Sequence, residues 1–393
     1  MNYLKEKYKK TNIENIPNEW KIDRLSNLFS ITAGRDLIKN DFSLYFDDEH
    51  RFPIYSNSLE NKGLYGYTKY PRHKANSITV TARGTLGKAS ARAEDFDAIG
   101  RLLVLEPKIV LDCFFVSEYI NEKLHFSIES TGVPQLTVPH ISKYFIALPP
   151  LNEQKKISSI LSTVDDLIEN TESLINYYTL LKKGLMQILL TKGIGHTKFK
   201  KTEIGEIPNN WNIVKIKYIT ELISKKGEPG KNNYIEISDI NIESKKYDFK
   251  DKKSVIGCKY AFKENIIVSN VRPTRGAISI IKEPQVLVSS GFTILSCKKD
   301  IKCQFLFYNL IKDDFLNYLG SCCEGSTYPT VNSSDLIEYK IPLPPLDEQI
   351  QISSILILVD EKLDINRNKI ILLNSLKKGL MQQLLTGKIR VKV

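Results

Sequence analysis

The chain of 393 residues contains one long segment twice. Residues 148–191 and residues 343–386 align without a gap at an offset of 195, and 24 of the 44 aligned positions are identical. A shorter repeat precedes each copy, because the motif Ile-Pro-Asn-x-Trp begins at Ile16 and again at Ile207. A repeat of this length constrains the architecture before any local pattern does. The chain is therefore two tandem copies of one unit.

Each unit combines a divergent body with a nearly constant segment. The first body occupies residues 1–147 and the first constant segment residues 148–191. The second body occupies residues 192–342, of which 192–206 form a linker, and the second constant segment residues 343–393. We expect the constant segments to contact a constant partner, and the divergent bodies to recognise two different targets.

The constant segments predict two long helices. The proline pairs Pro149-Pro150 and Pro344-Pro345 precede them, and proline disfavours helix in the residue before it. Apolar residues then recur every seven residues over roughly 30 residues, which is typical of a coiled coil. Because the two stripes are nearly identical, we expect the helices to pair with each other. The predicted seam consists of Ile157, Leu161, Val164, Ile168, Ile175, Tyr178, Leu185, Leu189, Ile352, Leu356, Val359, Leu363, Asn366, Ile370, Leu373, Leu380 and Leu384.

A polar residue interrupts the seam at the same position of both copies, Thr171 in the first and Asn366 in the second. Polar seam residues can fix the register and orientation of a coiled coil at some cost in stability. The alternative is a tolerated mismatch near the middle of a long seam. The sequence leaves both interpretations open.

The bodies contain short apolar stretches that predict strands over residues 77–81 and 102–105, and again over 265–269 and 292–295. One amphipathic helix is expected in each body, around residues 115–128 and 304–318. The predicted fold class is therefore α+β. We expect two tandem α/β domains joined by two long helices that pair with each other as a coiled coil.

Composition and charge narrow the class of protein. The net charge is +11, of which +7 lies in residues 192–346, and a basic body suggests a polyanionic partner such as nucleic acid. No apolar run approaches the roughly 20 residues that a membrane helix needs, and the first residues lack a signal-peptide pattern. The six cysteines form no C-x-x-C pair. We expect a reduced, cytoplasmic protein without a metal site.

Charged and small polar residues cluster at predicted turns of both bodies. Guanidinium groups on tight turns suit bidentate contacts with guanine edges or phosphates, and small polar loops stiffened by proline suit a DNA groove. Ordinary solvated turns and connecting loops are the alternative. The candidate DNA-binding residues are Arg83, Thr85, Lys88, Arg92, Gln135 and Thr137 in the first body, and Lys225, Lys226, Arg272, Thr274, Arg275, Thr327, Thr330 and Asn332 in the second.

Catalytic motifs are missing from the sequence. The runs around Gly84 and Gly227 lack the spacing of a phosphate loop, and Leu-Pro-Pro-Leu is not the tetrad of adenine methyltransferases. The five histidines are scattered, and neither a glycine-rich cofactor loop after a strand nor a G-x-S-x-G motif occurs. We therefore predict no catalytic residues in this chain.

The repeated motifs resemble those of the DNA-specificity subunits of type I restriction-modification systems. These motifs are the Ile-Pro-x-x-Trp openings, Glu153-Gln154 and Glu348-Gln349 at the helix starts, and Lys-Lys-Gly-Leu-Met-Gln-x-Leu-Leu-Thr at the helix ends. The resemblance covers essentially the whole chain. It implies two target-recognition domains, each reading one half of a bipartite, asymmetric site in double-stranded DNA. It also implies that the two helices form an antiparallel coiled coil, which makes the tandem domains pseudo-symmetric and sets the spacing between the two halves.

The resemblance further implies protein partners. The helices would carry modification subunits, of which we expect two, and these subunits would bind S-adenosylmethionine and methylate adenine. Restriction subunits with translocase and nuclease activity would join for cleavage. The chain itself would bind no cofactor and would be a non-catalytic reader and scaffold.

Two other classes of function compete with this interpretation. A methyltransferase or restriction enzyme with a cryptic active site would transfer a methyl group or cleave DNA as the isolated chain. A structural coiled-coil adaptor would show no specific, salt-dependent retention of DNA.

Overall fold

The computed structural model describes residues 8–11, 15–126, 134–250, 252–324 and 328–392. The chain divides into two compact units, one formed by residues 1–171 and 369–393 and the other by residues 172–368. Each unit therefore combines one body with part of both long helices. The limits of the units cut through the long helices, which the sequence analysis had treated as segments of their own.

The first body contains the short helices α1 (Leu25–Leu28), α2 (Cys113–Lys123) and α3 (Val138–Ile141), with 3₁₀ turns at Lys39–Asp41 and Glu60–Gly63, and is followed by the long helix α4 (Leu151–Leu189). Its strands are β1 (Tyr8–Lys10), β2 (Asn15–Pro17), β3 (Lys21–Arg24), β4 (Phe29–Ala33), β5 (Phe42–Ser43), β6 (Phe52–Tyr55), β7 (Leu64–Thr68), β8 (Ser77–Val80), β9 (Ala89–Arg92), β10 (Asp97–Ala98), β11 (Leu103–Pro107) and β12 (Phe145–Leu148).

The second body contains the short helices α5 (Ile216–Ile219), α6 (Cys303–Leu310), α7 (Asp313–Ser321) and α8 (Ser333–Leu336), with 3₁₀ turns at Ile237–Asp239 and Pro273–Arg275, and is followed by the long helix α9 (Leu346–Leu384). Its strands are β13 (Phe199–Thr202), β14 (Gly205–Pro208), β15 (Asn212–Lys215), β16 (Thr220–Leu222), β17 (Tyr234–Ile235), β18 (Lys259–Phe262), β19 (Ile266–Ser269), β20 (Ile278–Ile280), β21 (Gln285–Val288), β22 (Phe292–Cys297) and β23 (Lys340–Leu343).

The two bodies share the topology of their main sheet, whereas the second, smaller sheet has the order β10-β6-β7-β5 in the first body and β17-β21-β18 in the second. A four-stranded antiparallel sheet has the order β4-β11-β8-β9 in the first body and β16-β22-β19-β20 in the second. A hairpin, β1-β2 or β13-β14, opens each body, and β12 or β23 returns to pair with β3 or β15. The predicted strands at 77–81, 102–105, 265–269 and 292–295 are confirmed as the central strands of these sheets. The repeat thus extends to bodies whose sequences diverge.

The central strands supply side chains to two cores, as the two-residue period of a strand requires. In the second body, Ile266 and Val268 join the main core with Trp211 and Phe305, while Ile267 joins a smaller core on the other side of the sheet. The first body likewise has a main core around Trp20 and Phe115 and a smaller one around Phe96. Burial on both faces explains the continuous apolar runs at 103–105 and 266–268, whereas β8 alternates apolar and hydroxyl side chains.

The prediction of a single helix over residues 304–318 of the second body is wrong. The stretch 304–318 forms two helices, because the chain is extended at Lys312, where ψ is 149°. Asp313 and Asp314 begin the next helix, where acidic side chains favour a helix N-terminus. The break allows Leu310 and Phe315, on the two sides of it, both to be fully buried. In the first body α2 ends at Lys123, and residues 127 and 128 of the predicted helix lie outside the described residues.

The two long helices contain 39 residues each, or about 58 Å of helix at 1.5 Å per residue. In the first unit Ile157 and Leu161, early in α4, share a core with Leu384, late in α9. In the second unit Leu189, late in α4, shares a core with Ile352, early in α9. The helices are thus antiparallel in both units. The predicted seam residues are all buried or half-buried.

Candidate nucleic-acid interface

A hydrogen bond between the two repeated motifs attaches each long helix to its body. The indole Nε1 of Trp20 donates to Oε2 of Glu153 at 3.2 Å, and that of Trp211 donates to Oε2 of Glu348 at 2.9 Å. Both indole rings are fully buried, so each needs a partner for its N–H group. The tryptophan of the opening motif and the glutamate at the helix start therefore recur together for a structural reason.

The neighbouring glutamines add further hydrogen bonds at the same place. Oε1 of Gln154 accepts from the backbone N–H of Asp112 at 2.9 Å, just before α2. Oε1 of Gln349 accepts from the backbone N–H of Lys302 at 2.9 Å, just before α6. Each glutamine thus fixes a body helix against the start of the long helix in its unit.

The side chain that binds the glutamate at the start of the long helix, Glu153 or Glu348, differs between the units. The guanidinium of Arg390 binds Glu153 at 2.6 and 2.9 Å and also binds Glu19. The hydrogen bond to Glu153 raises the pKa of Arg390. In the second unit, Nε2 of His196 lies 2.7 Å from Oε1 of Glu348. Arg390 therefore closes this site in the first unit, and His196 closes it in the second.

An ion pair between the long helices is repeated with the helices exchanged. In the first unit Lys377 of α9 binds Asp165 of α4 at 2.7 Å and Glu118 of α2 at 3.2 Å. Burial disfavours the charge of Lys377, but these two carboxylates outweigh it and raise its pKa. In the second unit, by contrast, Lys182 of α4 binds Asp360 of α9 at 2.6 Å.

A tyrosine replaces the body carboxylate in the second unit. The hydroxyl of Tyr308, on α6, donates to Asp360 at 2.8 Å. Tyr308 has the position on its helix that Glu118 has on α2, because both are five residues after the cysteine that begins the helix. Both units therefore join one body to both long helices at the same point, with one carboxylate fewer in the second.

Two segments of the first body that contain predicted DNA-binding residues lie next to each other. Arg83 forms a backbone bridge with Gln135, and its Nη2 donates to Oε1 of Gln135 at 3.3 Å. The backbone N–H of Leu136 donates to the carbonyl of Ala82 at 3.0 Å. The other exposed candidates on these two turns are Thr85, Lys88 and Thr137.

The equivalent segments meet in the second body. The backbone N–H of Arg272 donates to the carbonyl of Pro329 at 2.8 Å, and Val271 forms a bridge with Thr330. Arg272 has a left-handed backbone with φ of 47°, and its guanidinium lies over the ring of Tyr328 at 4.9 Å. Thr274, Arg275, Thr330 and Asn332 are exposed on the same turns, whereas Thr327 lies outside the described residues.

The prediction that Arg92 contacts DNA is wrong, because this residue is buried. Its side chain is only 6% exposed, and it donates to Oγ1 of Thr79 at 2.9 Å and to the carbonyl of Lys62 at 2.7 Å. The guanidinium also lies over the ring of Tyr55 at 3.5 Å, and burial lowers its pKa. Arg92 ends strand β9 with its side chain turned inward, so its role is to pack the first body.

Lys225 and Lys226 are exposed, but they lie on a different segment from Arg272 and Arg275. The carbonyl of Lys225 accepts from the backbone N–H of Tyr260, and Lys226 forms a bridge with Lys259. These contacts place the pair beside β18, in the second sheet of the body. The described contacts do not bring the pair together with the arginine turn.

The sequence analysis missed Lys245, which holds the arginine turn of the second body. Its Nζ donates to the carbonyl of Gly276 at 2.7 Å, immediately after Arg275. Burial, helped by the charge of Lys182, lowers the pKa of Lys245 to about 8. Gly276 is itself left-handed, with φ of 69°, which favours glycine at this position. The only sequence signal for the turn was the glycine after the arginine.

The described residues contain no group of three or more His, Cys, Asp and Glu side chains that could hold a metal ion. Within the same part of the chain, no helix is both long and apolar enough to cross a membrane. The arrangement that the geometry offers is instead a pair of exposed turns in each body, bearing guanidinium and hydroxyl groups.

Comparisons with known proteins point to one family. The family model described as the type I restriction modification DNA specificity domain matches residues 17–177 and again 198–375. The type I restriction enzyme MjaVIII specificity subunit of Methanocaldococcus jannaschii is 29% identical over 425 residues, which cover 99% of this chain and 97% of the relative. The EcoDI specificity subunit of Escherichia coli is 22% identical and covers 86% of this chain and 80% of its own length.

A solved structure shows the same fold. The type I restriction-modification S subunit from M. genitalium aligns with a TM-score of 0.65 at 18% identity, covering 96% of this chain and 98% of that one. The family domain occurs twice, once around each body, and the two matches include most of both long helices. This chain therefore belongs to the family of type I restriction-modification DNA specificity subunits.

Proposed function

We propose that this chain reads a bipartite, asymmetric site in double-stranded DNA, with one body for each half-site, and that it does so as a non-catalytic subunit. The observation that carries the proposal is the repeated pairing of exposed turns. Arg83 and Gln135 meet in the first body, and the Arg272 turn meets the Thr330 segment in the second. Because the side chains on the two pairs of turns differ, the two half-sites should differ in sequence.

The long helices are the proposed scaffold for the other subunits. They leave large apolar side chains exposed in each unit, although their seam residues are buried or half-buried. In the first unit these are Leu167, Ile371, Leu372 and Leu376, and in the second Leu174, Tyr177, Leu180, Ile188, Leu346, Ile350, Leu358 and Ile365. Exposed apolar surface of this kind marks protein contacts. Two modification subunits would dock here.

The remaining chemistry belongs to the partners in this proposal. The modification subunits would bind S-adenosylmethionine and methylate adenine, and restriction subunits would join them for translocation and cleavage. The complex would act on DNA in the cytoplasm. A cryptic methyltransferase or nuclease in this chain is less well supported, because the catalytic motifs are missing from its sequence. A purely structural adaptor would leave the paired arginine turns without a role.

Substitution of the arginine turn in the second body tests the proposal. We expect Arg272→Ala or Arg275→Ala to weaken binding of the complex with its modification subunits to DNA by roughly 1–3 kcal/mol, because a bidentate contact to guanine is lost. Fluorescence anisotropy with duplexes altered in either half-site measures the effect. Altering the second half-site should abolish the difference between variant and wild type, whereas altering the first should preserve it.

Lys299→Ala is a matched control for the arginine variants. Lys299 is exposed in the same body and lies just after Cys297, the last residue of β22. The arginine turn is near the other end of that strand, where Phe292 pairs with Ser269. It should bind like the wild type. Arginine variants that bind every duplex as the wild type does would contradict the assignment of this turn to DNA reading.

A further inference from the structure

A third turn of the first body meets the two turns already described. Gly100 and Arg101 are both left-handed, with φ of 64° and 69°. A left-handed backbone is unfavourable for arginine, so the surrounding structure must hold it. The backbone N–H of Gly100 donates to the carbonyl of Arg35 at 3.1 Å, and that of Leu102 donates to the carbonyl of Ile99 at 3.2 Å. Arg101 is therefore fixed on an exposed turn.

Asn57 links this turn to the Arg83 turn. Its Nδ2 donates to the carbonyl of Gly100 at 2.6 Å, and its Oδ1 accepts from the backbone N–H of Ala82 at 2.7 Å. The carbonyl of Ala82 in turn accepts from the backbone N–H of Leu136. One half-buried side chain therefore spans the gap between the Gly100–Arg101 turn and the pair of turns that carries Arg83 and Gln135.

Arg35 belongs to the same edge, because its carbonyl accepts from the backbone N–H of Gly100 at 3.1 Å and its backbone forms a bridge with Ile99. Phe29 pairs with Pro107 in the first body, and Thr220 pairs with Cys297 in the second. Arg35 lies six residues after Phe29, and Lys226 lies six residues after Thr220. In the second body, however, the residue at this place, Lys226, forms a bridge with Lys259 and lies apart from the arginine turn, so Arg35 is placed by its own contacts. Strand register gives Arg101 the place of Gly291, because Leu103 pairs with Val80 as Thr293 pairs with Val268.

The charges at this edge are free to meet an anionic ligand. Arg35, Arg83 and Arg101 are exposed, and neither Arg35 nor Arg101 forms an ion pair with a described residue. The adjacent Arg72 is different, because it binds the buried Asp97 at 2.6 and 2.7 Å. Asp36 is the exposed carboxylate next in the chain to Arg35. Guanidinium groups that are fixed on turns and not paired suit bidentate contacts to DNA oxygens.

We propose that Arg101 and Arg35 bind acceptor atoms of the DNA at the half-site read by the first unit, so that three turns, rather than two, form this reading surface. The proposal rests on the proposed function, since it assigns two further residues to the same interface. The second unit has glycine at the place of Arg101, so this part of the surface is a difference between the two readers.

Binding of DNA by the assembled complex tests this assignment. The full chain with its modification subunits is titrated onto a duplex that carries its recognition site, and onto a duplex with the first half-site altered. We expect Arg101→Ala and Arg35→Ala each to bind the intact site roughly ten- to a hundredfold more weakly than the wild type. Arg51→Ala is the control, because Arg51 is an exposed arginine of the same body that donates to the carbonyl of Asp48. This variant should bind like the wild type.

The sequence and salt dependence of the loss distinguish the atoms that are bound. If Arg101 contacts a base, the loss should disappear when one base pair of the first half-site is replaced. If it contacts a phosphate, the loss should persist on all sequences, and the slope of log K against log salt should fall by about one. Wild-type affinity of both variants, or an equal loss in Arg51→Ala, would overturn the inference. A wild-type complex without preference for any site would instead overturn the proposed function.

Discussion

At the scale of single residues, the repeated motifs have a structural role. Glu153 is 2% exposed, yet it accepts from the indole of Trp20 and binds the guanidinium of Arg390. A buried carboxylate is strongly destabilising unless it is paired and hydrogen-bonded. The glutamate and the tryptophan therefore depend on each other, which accounts for their recurrence in both units.

Removal of the cation tests this dependence. We expect Arg390→Ala to destabilise the first unit by roughly 2 kcal/mol, because charge-assisted hydrogen bonds to a buried carboxylate are lost. Hydrogen exchange should accelerate in peptides from residues 15–30 and not in peptides from residues 207–220. Lys388→Ala, two residues earlier and exposed, is the control. Equal exchange in Arg390→Ala and Lys388→Ala would contradict the role given to Arg390.

Side-chain direction limits what the sequence could predict about the interface. Arg83 and Arg92 both follow a predicted strand within ten residues of each other, yet Arg83 is exposed and Arg92 is buried against Tyr55. Arg35 and Arg101 escaped prediction because only the backbone contacts of Arg35 with Ile99 and Gly100 and the hydrogen bonds of Asn57 bring them to the edge. Such contacts join residues that are distant in the sequence, so no local pattern reveals them.

At the scale of elements, each long helix contributes an aspartate to the ion pair of one unit and a lysine to the ion pair of the other unit. Asp165 and Lys182 of α4 correspond to Asp360 and Lys377 of α9 at the offset of 195 residues. Each unit takes the aspartate from one helix and the lysine from the other. Mutation of one of these lysines or aspartates should therefore act on the unit in which that residue forms its ion pair.

The two lysines should differ in their effect on stability. Lys377→Met leaves the carboxylates of Glu118 and Asp165 without their shared cation, and breaking a buried pair costs about 3 kcal/mol. Lys182→Met should cost only about 1 kcal/mol, because Tyr308 still donates to Asp360. Hydrogen exchange of α2 and α6 reports the two units separately. A larger loss for Lys182→Met would contradict this account.

The elements themselves were largely predictable. The seven-residue period and the proline pairs predicted both long helices, which begin at Leu151 and Leu346, directly after the prolines. Apolar runs predicted the central strands of both sheets. The break at Lys312 was missed, although the acidic pair Asp313 and Asp314 directly after it favours a helix N-terminus.

At the scale of the whole molecule, the repeat carries both the fold and the function. Two bodies with the same main sheet and different exposed side chains are what a reader of two different half-sites needs. In the proposed function, the two repeated helices are the scaffold for the other subunits. The sequence predicted this organisation because the repeat is visible without structural information, whereas the bases recognised depend on side-chain geometry at the turns.

Mapping of adenine methylation tests the central claim most directly. The chain is co-expressed with the modification subunit encoded beside it in a host that lacks adenine methylation, and methylated positions are identified across the genome. We expect a single bipartite, asymmetric motif, with two short specified halves separated by unspecified bases. Absence of methylation from an assembled complex, or methylation without a sequence motif, would contradict the claim that this chain reads DNA for its partners.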